Sequence, residues 1–209
     1  MPHSRRPAGS TAPFAAALGI ALWSLSGPVS LEGQAHPSAT APEEIRQIQT
    51  ISPRSGPPGT MVSVSTLNLP YEAQIHVGVG AMGQGFEALA EAEQGRLGEI
   101  ATRVQVPANA PLDRPIVFIA FNAIFAPIGM SDPFHVTDPE GRVQRTGEVV
   151  SRDPGCIVFR DRDGYEYELT EGTENLPTEG KVHVEGVFFD GGVCTDGPSI
   201  GVAEFRPGN

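Results

Sequence analysis

Short apolar runs separated by turn residues follow one another along residues 45–138. In "MVSVSTL" (61–67) valine and serine alternate, and "EIATRVQVP" (99–107) shows a similar period of two. This alternation is typical of strands with one buried face. The run "IVFIAF" (116–121) is apolar at every position, as expected of a central strand covered on both sides. The pattern predicts an all-β sandwich of two packed sheets.

The segment "FEALAEAE" (86–93) fits two kinds of element. Its alanine, leucine and glutamate content favours a surface helix. Its apolar even-numbered positions also alternate with Glu87, Glu91 and Glu93, and "EQGRLG" (93–98) is typical of a hairpin turn into the next strand. We predict a strand here, with the helix as the alternative.

A second pattern begins after "DPEG" (138–141). Five further strand-like runs follow, with glycine, aspartate and proline between them: "VQRTGEVVS", "CIVFRD", "YEYEL", "KVHVEGVFF" and "SIGVAEFRP". Many short strands with frequent turns are typical of small barrels. The sequence therefore predicts a second domain, a five-stranded closed or nearly closed barrel, over residues 142–209.

Both regions resemble known domain types. "ISPRSGPPGTMVSV", "VQVPANAPLDRPIVFIAF" and "SDPFHV", within residues 48–137, resemble the IPT/TIG type of immunoglobulin-like domain. The order "G-x-V … C … DG-x-x-Y-x-L … L-x-x-G-x-V-x-V-x-G … C" resembles small exported OB-like barrels of largely unassigned function. The first resemblance implies a sandwich whose loops or sheet faces meet protein or carbohydrate partners.

The N-terminus has the pattern of a secretory signal. Arg5 and Arg6 precede an apolar run from Phe14 to Leu25, which is about half of the roughly 20 residues needed to cross a bilayer. We expect a signal peptide over residues 1–35, cleavage after Ala35 and a disordered leader over 36–44. The mature chain would then be periplasmic or extracellular without a membrane span; a retained anchor is the alternative.

The cysteines and the charge agree with export. Cys156 and Cys194 are the two cysteines of the chain, and an even count in an exported protein predicts a disulfide, with two separate thiols as the alternative. The formal net charge is −11. Such a surface repels nucleic acid and anionic lipid, so we expect no nucleic-acid partner.

A glycine motif raises the question of a nucleotide. Gly78, Gly80 and Gly83 have the spacing G-x-G-x-x-G of dinucleotide-binding loops, and Glu99 lies about 20 positions further on. That fingerprint requires a βαβ unit, whereas short strands and proline-rich turns flank these glycines. We interpret "GVGAMGQG" (78–85) as a loop between strands and predict no cofactor.

The acidic residues of the barrel are weak candidates for calcium. Asp161 and Asp163 resemble part of a calcium-binding loop, but a complete set of ligands and the flanking helices are missing. Asp190 and Asp196 could converge on the same rim. A hairpin turn at Asp163 and Gly164 is the simpler interpretation.

The remaining residues offer no catalytic or metal-binding pattern. His36, His76, His135 and His183 lack partners at zinc-ligand spacing, and G-x-S-x-G does not occur. We therefore predict no metal and no catalytic residues.

These patterns together favour an exported, non-catalytic binding or scaffolding module of the bacterial cell envelope, whose partner is a protein or a carbohydrate. Two alternatives remain. One is a calcium-dependent structural or adhesive protein that uses the acidic loops of the barrel, and the other is a nucleotide-binding enzyme that uses Gly78–Gly83.

Overall fold

A computed structural model describes residues 46–208 of the chain, except 49, 68, 82, 83, 154 and 178. All regular structure in these residues is β, which confirms the predicted all-β class. The predicted signal peptide and leader lie outside the described residues. Within the described residues, the structure holds no helix of the length and apolar character that crossing a membrane requires.

The first ten strands form three sheets. A five-stranded sheet has the order β1-β9-β8-β5-β6, a three-stranded sheet has the order β2-β4-β7, and β3 pairs with β10. The bounds are β1 Arg46–Ile48, β2 Thr50–Ser52, β3 Ser55–Gly56, β4 Met61–Thr66, β5 Ile75–Gly80, β6 Phe86–Ala92, β7 Ile100–Gln105, β8 Val117–Phe121, β9 Pro127–Ser131 and β10 His135–Val136.

One apolar core serves these strands. It draws alternate residues from both larger sheets, such as Val62 and Val64 on β4 and Val77 and Val79 on β5. Residues at alternate positions of a strand point to the same side of its sheet, so each sheet turns one apolar side to this core. Burial of these side chains at about 25 cal/mol per Å² of apolar surface is the main source of stability here.

β6 confirms the strand predicted for the ambiguous segment. It forms an antiparallel hairpin with β5, in which Gly80 lies opposite Phe86 and Gly78 opposite Ala88. The register shifts between Val77 and Gly78, so that Leu89 is an extra residue on β6. The loop interpretation of residues 78–85 is wrong for Gly78 and Gly80, which are strand residues; Gly83 lies outside the described residues.

The last five strands close into a barrel in the order β11-β12-β13-β15-β14. All neighbours are antiparallel except β13 and β15. A second apolar cluster, including Phe159, Val184 and Ile200, fills it. The bounds are β11 Arg142–Asp153, β12 Cys156–Asp161, β13 Glu166–Leu169, β14 Val182–Phe189 and β15 Ser199–Pro207.

The predicted disulfide is present. Cys156 at the start of β12 is bonded to Cys194 in the loop before β15, with the two Cα atoms 6.0 Å apart. The same loop is held by Glu168, a buried residue of β13. Its Oε2 accepts hydrogen bonds from the amides of Val193 at 2.7 Å and Cys194 at 2.9 Å.

Candidate functional site

The outer side of the five-stranded sheet is apolar. Val77 and Val79 of β5 point into the core, so Gly78 and Gly80 between them point outwards. A Cβ at Gly80 would lie 3.4 Å from Ile119 Cδ1 and from Phe86 Cβ, which places these two side chains on the same outer side.

Two aromatic rings stack across β5. Phe86 of β6 stacks on Phe121 of β8, with ring centroids 4.2 Å apart. Phe121 is buried, although it lies on the outer side opposite His76, while Phe86 is 48% exposed. The stacked pair thus spans β5, which lies between β6 and β8 in the sheet.

The same side continues to β9 and its preceding loop. Met130 lies opposite Ile119 and is 42% exposed. Phe125 stacks on His76 at 5.0 Å between ring centroids and is 47% exposed. We call these residues together the aromatic face: Phe86, Ile119, Phe121, Phe125 and Met130.

Phe125 is held in an unusual backbone conformation. Its φ of 59° lies in the left-handed region, which is uncommon for a bulky side chain. Asn122 stabilises the turn, since its Oδ1 accepts hydrogen bonds from the amides of Ile124 and Ala126. Ile124 at the tip is 83% exposed. Strained residues of this kind are often found at ligand-binding sites.

A second feature is a buried polar cluster between the sheets and the barrel, which we call the joint: His135, Arg145, Asp161 and Tyr167. Arg145 is fully buried, and its Nε donates to Tyr167 Oη at 3.1 Å while its Nη1 donates to the carbonyl of Leu112 at 2.7 Å. Tyr167 Oη donates to Asp161 Oδ2 at 3.2 Å.

His135 completes the joint from the sheet side. Its Nδ1 lies 3.4 Å from Arg145 Nη2, and its ring stacks on Phe188 of the barrel at 4.2 Å between centroids. Burial lowers the pKa of His135 well below the usual value, and the charges of Arg145 and Arg54 lower it further. The ring is therefore neutral, and Nδ1 can accept a hydrogen bond from Arg145.

Burial also shifts the pKa values of the acidic members of the joint, Asp161 and Tyr167. It raises the pKa of Asp161, although the amides of Tyr165 and Asp163 and the charge of Arg145 act in the opposite direction. Burial likewise raises the pKa of Tyr167. The joint is thus a neutral histidine and a neutral phenol around one buried ion pair, Arg145 Nε to Asp161 Oδ2 at 3.9 Å.

The four aspartates that the sequence marks as weak calcium-ligand candidates each have different neighbours in the structure. Asp161 lies in the joint and accepts hydrogen bonds from the amides of Asp163 and Tyr165 across the β12–β13 turn. Asp163 Oδ2 lies 3.5 Å from Arg114 Nε, Asp190 Oδ1 lies 3.4 Å from Arg54 Nη1, and Asp196 is exposed. Among the described residues, no group of three or more His, Cys, Asp or Glu is arranged to hold a metal ion.

The glycine motif lacks the setting that a dinucleotide requires. Gly78 and Gly80 lie in an antiparallel hairpin, whereas the fingerprint needs a parallel strand followed by a helix. The described residues of this region contain no helix whose N-terminus could receive a pyrophosphate.

Sequence reasoning did not identify the aromatic face, although one signal was visible. The run 116–121 is apolar at every position, a pattern that predicts a strand covered on both sides. In the structure Phe118 and Ala120 enter the core, while Ile119 and Phe121 point to the other side of β8 and belong to the aromatic face.

Comparison with known proteins adds little. No family model matches the chain, and no curated protein matches it. One similar solved structure is an auxiliary nutrient binding protein from Bacteroides thetaiotaomicron VPI-5482, with 15% sequence identity and a TM-score of 0.29. The match covers 61% of this chain and 36% of that protein. A likeness this distant supports no argument about fold or function.

Proposed function

We propose that this chain is an exported, non-catalytic module of the bacterial cell envelope that binds a partner protein on the aromatic face. The observation that carries the proposal is the group of half-exposed Phe86, Phe125 and Met130 on one side of one sheet. Contiguous apolar patches of this kind on soluble proteins mark interaction sites.

The chemistry of the face supports binding rather than catalysis. Phenyl rings and a thioether offer contact area, and aromatic residues and methionine are enriched at protein interfaces. Phe86 and Phe125 are each stacked on a neighbouring ring, so they lose little conformational freedom when a partner covers them.

We further propose that residues 45–138 form the immunoglobulin-like IPT/TIG domain and residues 142–209 the OB-like barrel of the same module. In this proposal the barrel acts as a support. Asp163 and Asp190, the weak calcium candidates, serve there as partners of Arg114 and Arg54 rather than as metal ligands.

Photo-crosslinking in the producing bacterium tests the proposal. A photoreactive phenylalanine analogue replaces Met130 in one variant and Val193, an exposed residue of the disulfide loop, in the control. We expect a discrete protein adduct from position 130 and none from position 193.

Adducts at both positions or at neither would contradict the proposal, and adducts with glycan alone would replace the protein partner by a carbohydrate. With the photoreactive residue kept at position 130, Ile124→Glu should abolish the adduct with an unchanged melting temperature, because the Ile124 side chain is 83% exposed. The matched control in the same background is Leu97→Glu, which changes an exposed apolar residue elsewhere.

A further inference from the structure

The sheets and the barrel have separate apolar cores. The buried residues of one core lie within residues 48–136 and those of the other within residues 143–202. Among the described strands, none of the sheets pairs with one of the barrel. Separation of the two parts would therefore leave both cores buried, whereas unfolding would expose them. Parts of a chain that meet through a polar interface can move relative to each other.

Most of the contacts that cross between the two parts are polar. The carbonyl of Leu112 accepts hydrogen bonds from Arg145 Nη1 at 2.7 Å and from the amide of Gln144 at 3.3 Å. Three ion pairs cross the same interface: Arg54–Asp190, Arg114–Asp163 and Arg162–Asp113. Water can replace hydrogen bonds of this kind, so their net contribution to holding the two parts together is modest.

A short connector links the two parts covalently. β10 ends at Val136 and β11 begins at Arg142, which leaves residues 137–141 between them. The amide of Thr137 donates to the carbonyl of Gly56 on the sheet side, and the carbonyl of Gly141 accepts from the amide of Phe188 on the barrel side. Residues 138–140 therefore lie between the two attachments, where a hinge can absorb changes in φ and ψ.

His135 is the group in the joint that changes charge in mild acid. It is 2% exposed, and the charges that act on its ring are those of Arg145 on β11 and Arg54 before β3, both positive. Tyr167 Oη of β13 lies 3.5 Å from its Nδ1. The carboxylate of the joint, Asp161, already accepts from Tyr167 and pairs with Arg145. A proton on His135 would thus add a second buried cation 3.4 Å from Arg145 Nη2.

We propose that the joint is an acid-sensitive hinge, at which protonation of His135 parts the barrel from the sheets while both stay folded. In the parted state the ring reaches water and its charge is separated from that of Arg145. The ratio of parted to joined molecules therefore rises by up to about tenfold for each pH unit below about 6.5, the ordinary pKa of histidine. Burial raises the pKa of Asp161, so its protonation favours the joined state and limits the effect at lower pH.

Hydrogen exchange of the full mature chain, followed by NMR between pH 7.5 and 5.5 and corrected for the intrinsic exchange rate, tests this. The probes are the amide of Gln144 and the Nε–H of Arg145, a fully buried side chain. We expect protection of both probes to be equal, to be far below that of the core amides of β4 and β14, and to fall with pH. Low urea concentrations should change the two probes little, because parting exposes little apolar surface.

Variants connect the response to the joint. His135→Gln keeps an acceptor for Arg145 but has no titratable ring, and it should abolish the pH dependence of both probes. His183→Gln, which removes a partly buried histidine outside the joint, should leave that dependence unchanged. Asp161→Asn can still accept from the amides of the β12–β13 turn but removes the charge that faces Arg145, so it should lower the protection of both probes already at pH 7.5.

Three outcomes would overturn the inference. Equal protection and equal urea dependence of the probes and the core amides would mean that acid unfolds the whole chain. Probe protection that does not fall with pH in the unsubstituted chain, or that falls equally in His135→Gln, would exclude His135. None of these measurements depends on the partner of the aromatic face, so this inference and the proposed function stand or fall separately.

Discussion

Gly78 allows β5 and β6 to approach more closely than any residue with a side chain would. A Cβ at this position would overlap the carbonyl oxygen of Glu87, a backbone atom that cannot rotate away. The close approach coincides with the register shift at Leu89. The glycine at position 78 is explained by strand packing and not by a phosphate.

We therefore expect Gly78→Ala to destabilise the protein by about 1–3 kcal/mol, because the hairpin must move apart. Urea unfolding followed by circular dichroism measures the change. Gly85→Ala is the matched control: a Cβ there meets nothing within 4 Å, and we expect a change within about 0.5 kcal/mol. Equal effects of the two substitutions would refute the steric explanation.

At the scale of elements, the disulfide and Glu168 together fix the loop between β14 and β15. Cys156 and Cys194 are 38 positions apart, and Glu168 binds two amides of the same loop. The loop therefore has one covalent and one charge-assisted attachment to the barrel wall.

Cys156→Ala/Cys194→Ala should lower the free energy of unfolding by about 4 kcal/mol in the chain-entropy model, since a long loop is no longer closed in the unfolded state. Hydrogen exchange should accelerate most in residues 190–198, with residues 50–66 as the internal reference. Uniform acceleration in both segments would show that the disulfide has no local role.

At the scale of the whole molecule, the joint connects the sheets to the barrel. Arg145 and Tyr167 of the barrel meet His135 and the Leu112 carbonyl of the sheet region, and three ion pairs surround them: Arg114–Asp163, Arg54–Asp190 and Arg162–Asp113. Removing or neutralising one partner of a buried ion pair such as Arg145–Asp161 destabilises the folded protein, because the other charge is left buried without compensation.

Stability should consequently fall in mild acid. The pKa of His135 in the folded protein is lowered, so the unfolded chain binds the proton more readily. The contribution of neutral His135 to the free energy of unfolding is complete above about pH 6.5, the pKa of histidine in the unfolded chain. It is lost as the pH falls below that value, by at most about 1.4 kcal/mol per pH unit for one proton. Asp161, whose pKa is raised, acts in the opposite direction at lower pH.

Melting temperatures between pH 7.5 and 5.5 measure this dependence, and His135→Gln should flatten it. His183→Gln should flatten it less, because that ring is only partly buried, although its pKa is lowered too. An unchanged slope in His135→Gln would exclude the joint as its source.

Local sequence signals were sufficient to predict the all-β class, the strand over residues 86–92 and the cysteine pair. Alternation of apolar and polar residues, turn residues and cysteine count are local properties, and they can be read without knowing which strands become neighbours. The same local signals also marked Asp161, Asp163 and Asp190 as acidic, but could not show what they face.

The partners of these residues depend on the packing of the whole chain. Arg54 and Asp190 are far apart in the sequence, and their ion pair requires the barrel to pack beside the sheets. The aromatic face likewise depends on the order β9-β8-β5-β6, which places Met130, Phe121 and Phe86 side by side. Contacts between distant residues arise from strand order and register, which the local pattern of one sequence does not encode.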